Sequence, residues 1–335
     1  GITITADNVI LDCNGNSITG AGNAAGISIN SKSGVVIKDC DISNFYYGIK
    51  AEHSSDLQII EDNNVTGNDF YGIYLYNATN VKIDANVINN DNNGVYTVSS
   101  SGVNVTSNTI NLHRKFYGVY GFNSDSFVIY NNTMWNNYHG IYFVNVTGSN
   151  LSSNQVNISD IYSIFLHKES DNTLVDSNIL YKASQGLRIR QSSSNISIYD
   201  NNITDNSAYG IYATDSDNHN IFRNIIRSNV KNFYFSNSEN SGIENNTIEN
   251  ATLNAVLVSG SNNNLFKNNT FNSTSILSLE INDSDDINLT GNMIFRNASI
   301  YNSDDLIFNE LNNVGGSLEV SSSNNLFVDS NVIGE

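Results

Sequence analysis

The sequence predicts an all-β fold, a right-handed parallel β-helix (solenoid) of about 14 coils with roughly 23 residues per coil, and three observations carry that reading. The pattern Asn-x-apolar recurs at steps of 19 to 24 residues, placing Val65, Ile88, Ile110, Met134, Val156, Leu180, Ile203, Ile226, Ile248, Phe271 and Ile294 each two positions after a repeat residue. Midway through successive repeats a Gly precedes an apolar residue, as at Gly48-Ile49, Gly72-Ile73, Gly94-Val95, Gly118-Val119, Gly140-Ile141, Gly186-Leu187 and Gly210-Ile211. Pro is absent from all 335 residues, as an uninterrupted hydrogen-bonded ladder demands, because each Pro deletes a backbone donor.

Each repeat is too small to bury a core alone, so its two or three short strands gain stability only by stacking on the same positions of the next coil, about 4.8 Å away. Inward Ile, Val and Leu then form columns. The recurring polar residue forms another, an internal Asn ladder of Asn63, Asn86, Asn108, Asn132, Asn154, Asn178, Asn201, Asn224, Asn246, Asn269 and Asn292. An amide in that column passes hydrogen bonds from coil to coil and satisfies polar groups that burial would otherwise strand. Some seven residues earlier stands a polar turn former, such as Asp125, Asp171, Ser194, Asp217, Asn262 or Asp285, suited to tight corners by its local bonds to the backbone. Composition does not shift along the chain, so residues 1–335 read as a single β-helix domain. Opening on Gly1 and stopping inside a further repeat, it reads as a fragment of a longer chain truncated at both ends.

The formal charge is −18, with a pI near 4.4, so a polyanion is repelled over most of the surface and nucleic acid is not an expected partner. No apolar stretch approaches the eighteen or more residues of a membrane span. An extracellular or cell-surface location is expected.

The first coil, ADNVILDCNGNSITG, and repeats such as NVKIDANVINNDNNGVY resemble the right-handed β-helix repeat proteins of the NosD-like, carbohydrate-binding and sugar-hydrolase group. That resemblance spans almost the whole chain and implies the solenoid fold. For function it implies a wide range: pectin-degrading enzymes, uronan epimerases, a copper-site maturation factor and cell-surface proteins. Arg188-Ile189-Arg190 resembles the Arg-Ile-Lys element of polygalacturonases and His139-Gly140 their Gly-His-Gly, but the paired-Asp motifs of those enzymes are missing from matching coils. Asp39 with Asp62, and Glu61 with Asp84, match between neighbouring coils without an Arg or His beside them, and read as solvated charges. No catalytic residue is assigned, and an enzyme is not the favoured reading.

Metal chemistry is sparse too. His53, His113, His139, His167 and His219 fall at scattered coil positions, and Met134 and Met293 are the only thioethers, a donor set that argues against copper handling. No cofactor is expected beyond a candidate Ca²⁺ at Asp283, Asp285, Asp286, Asp304 and Asp305, on two adjacent corners, against which stands the plainer reading of turn-forming Asp in water. Cys13 and Cys40 occupy the first two coils within reach of a disulfide, with two buried thiols as the alternative. Sixteen Asn-x-Ser/Thr sequons, among them Asn64, Asn77, Asn145 and Asn282, are candidate glycosylation sites, although this composition generates nearly as many by chance.

One feature exceeds what the fold needs. Strand alternation turns the second residue after each Gly outward, and that column reads Tyr74, Tyr96, Tyr120, Tyr142, Phe165, Arg188, Tyr212 and Tyr234, with Arg190 two residues beyond Arg188. Tyr47, Tyr71, Tyr117, Tyr162 and Tyr209 flank it. An outward aromatic stripe of that length suits a binding face, whereas Tyr also simply stacks well along a strand ladder. The expected function is therefore a non-enzymatic structural module of a surface or filament protein, its stripe making assembly or adhesion contacts with copies of itself or other surface proteins. The alternative is a carbohydrate-binding or carbohydrate-active β-helix with a polysaccharide partner, and the third reading is NosD-like copper maturation.

Overall fold

The computed structural model describes residues 1–60, 62–89, 91–113, 115–309, 312–328 and 332–333. Among them every regular element is a β-strand, and the chain forms two compact units, Gly1–Phe165 and Leu166–Glu335. Each is a parallel β-solenoid, and together they hold about fourteen coils of about 23 residues, as the repeat predicts.

A coil of the first unit shows how sequence becomes structure. Tyr71–Tyr76 and Thr79–Asp84 are six-residue strands joined at a corner, Ala85 turns the chain in a left-handed conformation (φ 55°), Asn86 follows, and Val87–Asn89 closes the coil. Tyr71–Tyr76 pairs in parallel with Tyr47–Glu52 on one side and Asn93–Val98 on the other. Apolar side chains at alternate positions face inward. Ile49, Ile73, Val95, Val119 and Ile141 are each 0% exposed, and every such side chain contributes roughly 1.5–3 kcal/mol. Glycine precedes this column because the backbones close in at that corner. A Cβ on Gly118 would lie 2.7 Å from the Gly140 carbonyl oxygen, inside any normal contact.

The Asn ladder forms as the sequence predicts. In the first unit each Nδ2 donates to the next Oδ1 at 2.9–3.0 Å, from Asn63 through Asn86, Asn108 and Asn132 to Asn154. In the second unit the ladder runs from Asn178 through Asn201, Asn224, Asn246, Asn269 and Asn292 at 2.9–3.0 Å and adds Asn312. Each Oδ1 also accepts the backbone N–H of the preceding ladder residue, as Asn108 does from Asn86 at 2.9 Å. From Asn63 to Asn292 the residue before each ladder Asn sits at positive φ, whether it is Asp62, Ala85, Ser107, Asp200 or Arg223. Asp39 and Asp62 are two of these turn residues, Asp84 pairs with Lys82 at 2.9 Å, and Glu61 lies outside the described residues.

Two further internal ladders were not read from the sequence. Buried serines at another corner accept the backbone N–H of the coil before, as in Ser100 to Ser124, Ser170 to Ser193 and Ser261 to Ser284. A second amide column lies just ahead of the Gly corner: Asn206 and Asn229 are linked at 2.9 Å in the second unit. In the first unit that column holds Asn68, Asp91, His113 and Asn137 in successive coils, all buried. Asp91 accepts the Asn68 N–H at 2.5 Å and Asn137 that of His113 at 3.2 Å.

Candidate functional site

The outward side of the sheet in the first unit is aromatic across several columns at once. Lys50, Tyr74, Tyr96, Tyr120 and Tyr142 stand in register on successive strands. Beside them runs the column Tyr47, Tyr71, Asn93, then Tyr117, His139 and Tyr162. On the far side lie Glu52, Tyr76, Val98, Phe122 and Val144. Tyr46, Phe116 and Tyr138, on the preceding corner, are 37–38% exposed.

The rings within a column stack on one another. Tyr74 and Tyr96 lie 6.0 Å apart at 10°, Tyr96 and Tyr120 4.5 Å at 20°, and Tyr120 and Tyr142 5.8 Å at 29°. In the neighbouring column Tyr47 and Tyr71 are 5.2 Å apart at 7°, and His139 is held between Tyr117 (5.4 Å, 18°) and Tyr162 (5.0 Å, 11°). The faces are thus engaged by neighbours in the ladder, and edges and hydroxyls form the outer surface. Burial pushes the hydroxyls of Tyr71, Tyr74, Tyr96, Tyr117 and Tyr120 above the ordinary value of 10, so they remain neutral donors and acceptors. Burial also lowers His139 to about 4, so that ring is neutral near pH 7.

The ladder breaks at Asn93, which takes the place of a ring between Tyr71 and Tyr117. There a notch of about 290 Å³ opens, lined by Phe70, Tyr71, Asn93, Tyr96, Phe116 and Tyr117. The sequence shows this gap as the one Asn in an otherwise aromatic column, but stacking had to be seen before the gap had meaning.

The second unit carries the rest of the stripe. Arg188, Tyr212 and Tyr234 are in register, with the Arg188 guanidinium 3.4 Å above the Tyr212 ring and Lys231 5.2 Å from that of Tyr234. Tyr209 stacks on Tyr234 at 5.9 Å, and Arg190 is exposed. Two members of the stripe are not at its surface: Phe165 is 4% and Arg188 7% exposed. Alternation fixes the side of the sheet, but Tyr142 and Tyr162 pack over Phe165 and Tyr212 against Arg188.

The remaining candidates are taken up by the stack. Asp285 accepts the backbone N–H of Asp304, Asp304 that of Asn324, and Asp283 and Asp305 hold the amides of Asn302 and Asn325. Asp286 is exposed at positive φ. Among the described residues no three His, Cys, Asp or Glu side chains come together as a metal site. Of the sequons, the amides of Asn64, Asn145 and Asn282 donate to Asp41, Asn123 and Glu280, and Asn77 pairs with the exposed His53 ring. Cys13 and Cys40 form a disulfide with Cα atoms 4.8 Å apart.

Over residues 103–288 the chain matches the family described as periplasmic copper-binding protein (NosD), and over residues 1–116 the right-handed β-helix region. No curated protein matches its sequence. Among solved structures it is similar to a double mutant of the periplasmic alginate epimerase AlgG (13% identity, 94% of this chain and 79% of that one, TM-score 0.54). The A-module of the Azotobacter vinelandii mannuronan C-5 epimerase matches at 8% identity (94% and 92%, TM-score 0.51), and the Dettilon tailspike protein at 14% (82% and 61%, TM-score 0.53). Identities so low show the shared fold alone. Of the soft and imidazole donors, Met134 is buried and Met293 exposed, both cysteines are in the disulfide, and the His113 ring faces the carbonyl oxygens of Asp91 and Ile88. The NosD match covers more than half of the residues, and the chain belongs to the NosD family of right-handed β-helix proteins.

Proposed function

We propose that this chain is a glycan-binding solenoid acting outside the cytoplasm, on which an extended polysaccharide lies along the aromatic face of the first unit. The observation that carries the reading is the in-register row Tyr74, Tyr96, Tyr120 and Tyr142, a comb of neutral hydroxyls repeating at the coil spacing over an apolar base. Tyr suits sugar because it joins an apolar body to a polar tip. Within the first unit the two columns through Tyr74 and Tyr71 contain no carboxylate, so this face lacks the paired carboxyl groups of a glycosidase, and binding rather than hydrolysis is the proposed activity. The fold is shared with two polysaccharide epimerases. The Cys13–Cys40 disulfide fits an oxidising, extracytoplasmic setting, and no helix among the described residues is long and apolar enough to cross a membrane.

Retention of the protein in native gels cast with a panel of neutral and acidic polysaccharides tests the proposal. Retardation by at least one polymer, abolished in the Tyr120→Ala, Tyr142→Ala double variant, is the expected result. Equal retardation of parent and variant overturns it.

A second reading has its own observation. Val98, Phe122 and Val144 make the column beyond the tyrosines apolar, which suits contact with a second copy or another surface protein in an adhesive or filamentous assembly. Concentration-dependent association in analytical ultracentrifugation, lost in Phe122→Ser, would favour it.

A further inference from the structure

The break at Asn93 has the dimensions and polarity of a site. Tyr71 and Tyr117 are two coils apart, about 9.6 Å at about 4.8 Å per coil, and the rings of this column elsewhere stack at 5.0–5.4 Å. One ring inserted at the level of Asn93 therefore touches both. The notch of about 290 Å³ lies near the lower end of ligand pockets, about 300–1,000 Å³, and corresponds to roughly ten waters at about 30 Å³ each. Phe70 and Phe116, 5.8 Å apart, form its rim.

At its base Asn93 is 1% exposed. Its Nδ2 donates to the Phe70 carbonyl at 3.1 Å, which fixes the orientation of the amide, and its Oδ1 is buried with no hydrogen-bond partner. A buried acceptor without a donor is uncommon and costly in a native fold. The coils before and after carry Tyr at this position, so the stack itself does not require the amide.

We propose that the notch is a subsite for a single neutral pyranose, seated as the missing rung, with one hydroxyl donating to Asn93 Oδ1 and its C–H faces against Tyr71 and Tyr117. The ligand must supply a donor to that oxygen and apolar surface to two rings. A carboxylate is disfavoured, because its oxygens would face Oδ1 and the negative faces of the tyrosines. This rests on the glycan-binding reading and names the place where one sugar of the chain is gripped.

The test is saturation-transfer NMR of the intact chain with methyl β-D-glucopyranoside, methyl α-D-mannopyranoside and methyl β-D-galactopyranoside, with p-cresol as a planar control. At least one glycoside is expected to bind saturably. Asn93→Leu, which removes the acceptor, should weaken it about tenfold, in line with one hydrogen bond, and Asn93→Tyr, which fills the gap, should abolish it. Asn93→Tyr completes a stacked column and is expected to melt no lower than the parent, so its loss of binding is not loss of fold. Absence of saturable binding by all three glycosides, undiminished binding to Asn93→Tyr, or binding of p-cresol alone overturns the subsite. Polysaccharide retention without glycoside binding rejects the subsite and keeps the platform, whereas glycoside binding lost in Asn93→Tyr without any polysaccharide retention does the reverse.

Discussion

Replacing Asp91 by Asn should make the protein more stable at neutral pH. Asp91 stands in the inner column where Asn68 and Asn137 occupy neighbouring coils; it is 4% exposed, with one oxygen taking the Asn68 N–H and Oδ2 lacking any partner. Burial drives its pKa well above the ordinary 3.8. A carboxyl with a raised folded pKa binds a proton more tightly than the unfolded chain does, so its contribution is most favourable at low pH and is lost as pH rises. Folding at pH 7 then requires either proton uptake, which costs up to about 4 kcal/mol (the distance from 3.8 to 7 at 1.36 kcal/mol per unit), or a bare buried charge. Asparagine avoids both. Its Oδ1 keeps the Asn68 bond, and its Nδ2 is placed to donate to a carbonyl as Asn137 does to Ile110 at 3.1 Å. A gain of about 2–4 kcal/mol follows at pH 7, or roughly 5–10 °C in melting midpoint for a unit of this size. Circular-dichroism melts of parent and Asp91→Asn at pH 7 and pH 4 measure it. A variant that melts below the parent at pH 7, or a difference that does not shrink at pH 4, would refute the reasoning.

Acid should weaken the parent through a different group of side chains. His113 and His219 are 0% and 2% exposed, and burial lowers each to about 4; a base with a lowered folded pKa destabilises the fold as pH falls from 6.5 towards 4, by up to about 3 kcal/mol each, so His219→Gln should flatten the decline in melting midpoint between pH 7 and pH 4.5. Asn201→Leu deletes the partner of the Asn178 backbone N–H and Nδ2 and leaves the carbonyls of Val175 and Tyr199 without its Nδ2; a loss of at least about 3 kcal/mol is expected, read as a lower urea midpoint. The Cys13–Cys40 bond spans a sequence separation of 27, for which chain entropy gives about 3–4 kcal/mol, so reduction should lower the melting midpoint and Cys13→Ser should abolish that sensitivity.

The coil architecture was legible because each of its demands falls on one residue type at a fixed interval. A ladder Asn must supply both an acceptor and donors, so no common substitute fits, and the Asn63 and Asn178 series stood out for that reason. The serine ladder was invisible for the opposite reason: an Oγ that accepts the preceding coil's N–H while donating to a carbonyl two residues back is matched at some positions by Ala78 or Val146. The left-handed turn also escaped notice, since Asp, Ala, Ser, Asn and Arg all occupy it. Outwardness was legible and exposure was not. The residue after an inward Ile points away from the core, but whether it meets water depends on its neighbours along the ladder, as Phe165 and Arg188 show.

The same distinction decides where chemistry can reside on such a surface. Where a column repeats without change, each side chain is saturated by its neighbours: tyrosines by rings above and below, amides by amides, corner carboxylates by the next backbone N–H. A repeat is therefore least available to a ligand where it is most regular. Departures from it release bonding capacity: in one stretch of the first unit Asp91 interrupts an amide column, Asn93 an aromatic one, and His113 follows in the next coil. Asp91 Oδ2 and Asn93 Oδ1 are both buried acceptors without donors. Asp91 belongs to an interior column, where a substitution satisfies it, whereas Asn93 is one of the residues that line the notch. A ligand with a hydroxyl to donate is the partner proposed for the second, and for that reason the break in the tyrosine ladder, rather than the ladder itself, is the place to which the proposed recognition is assigned.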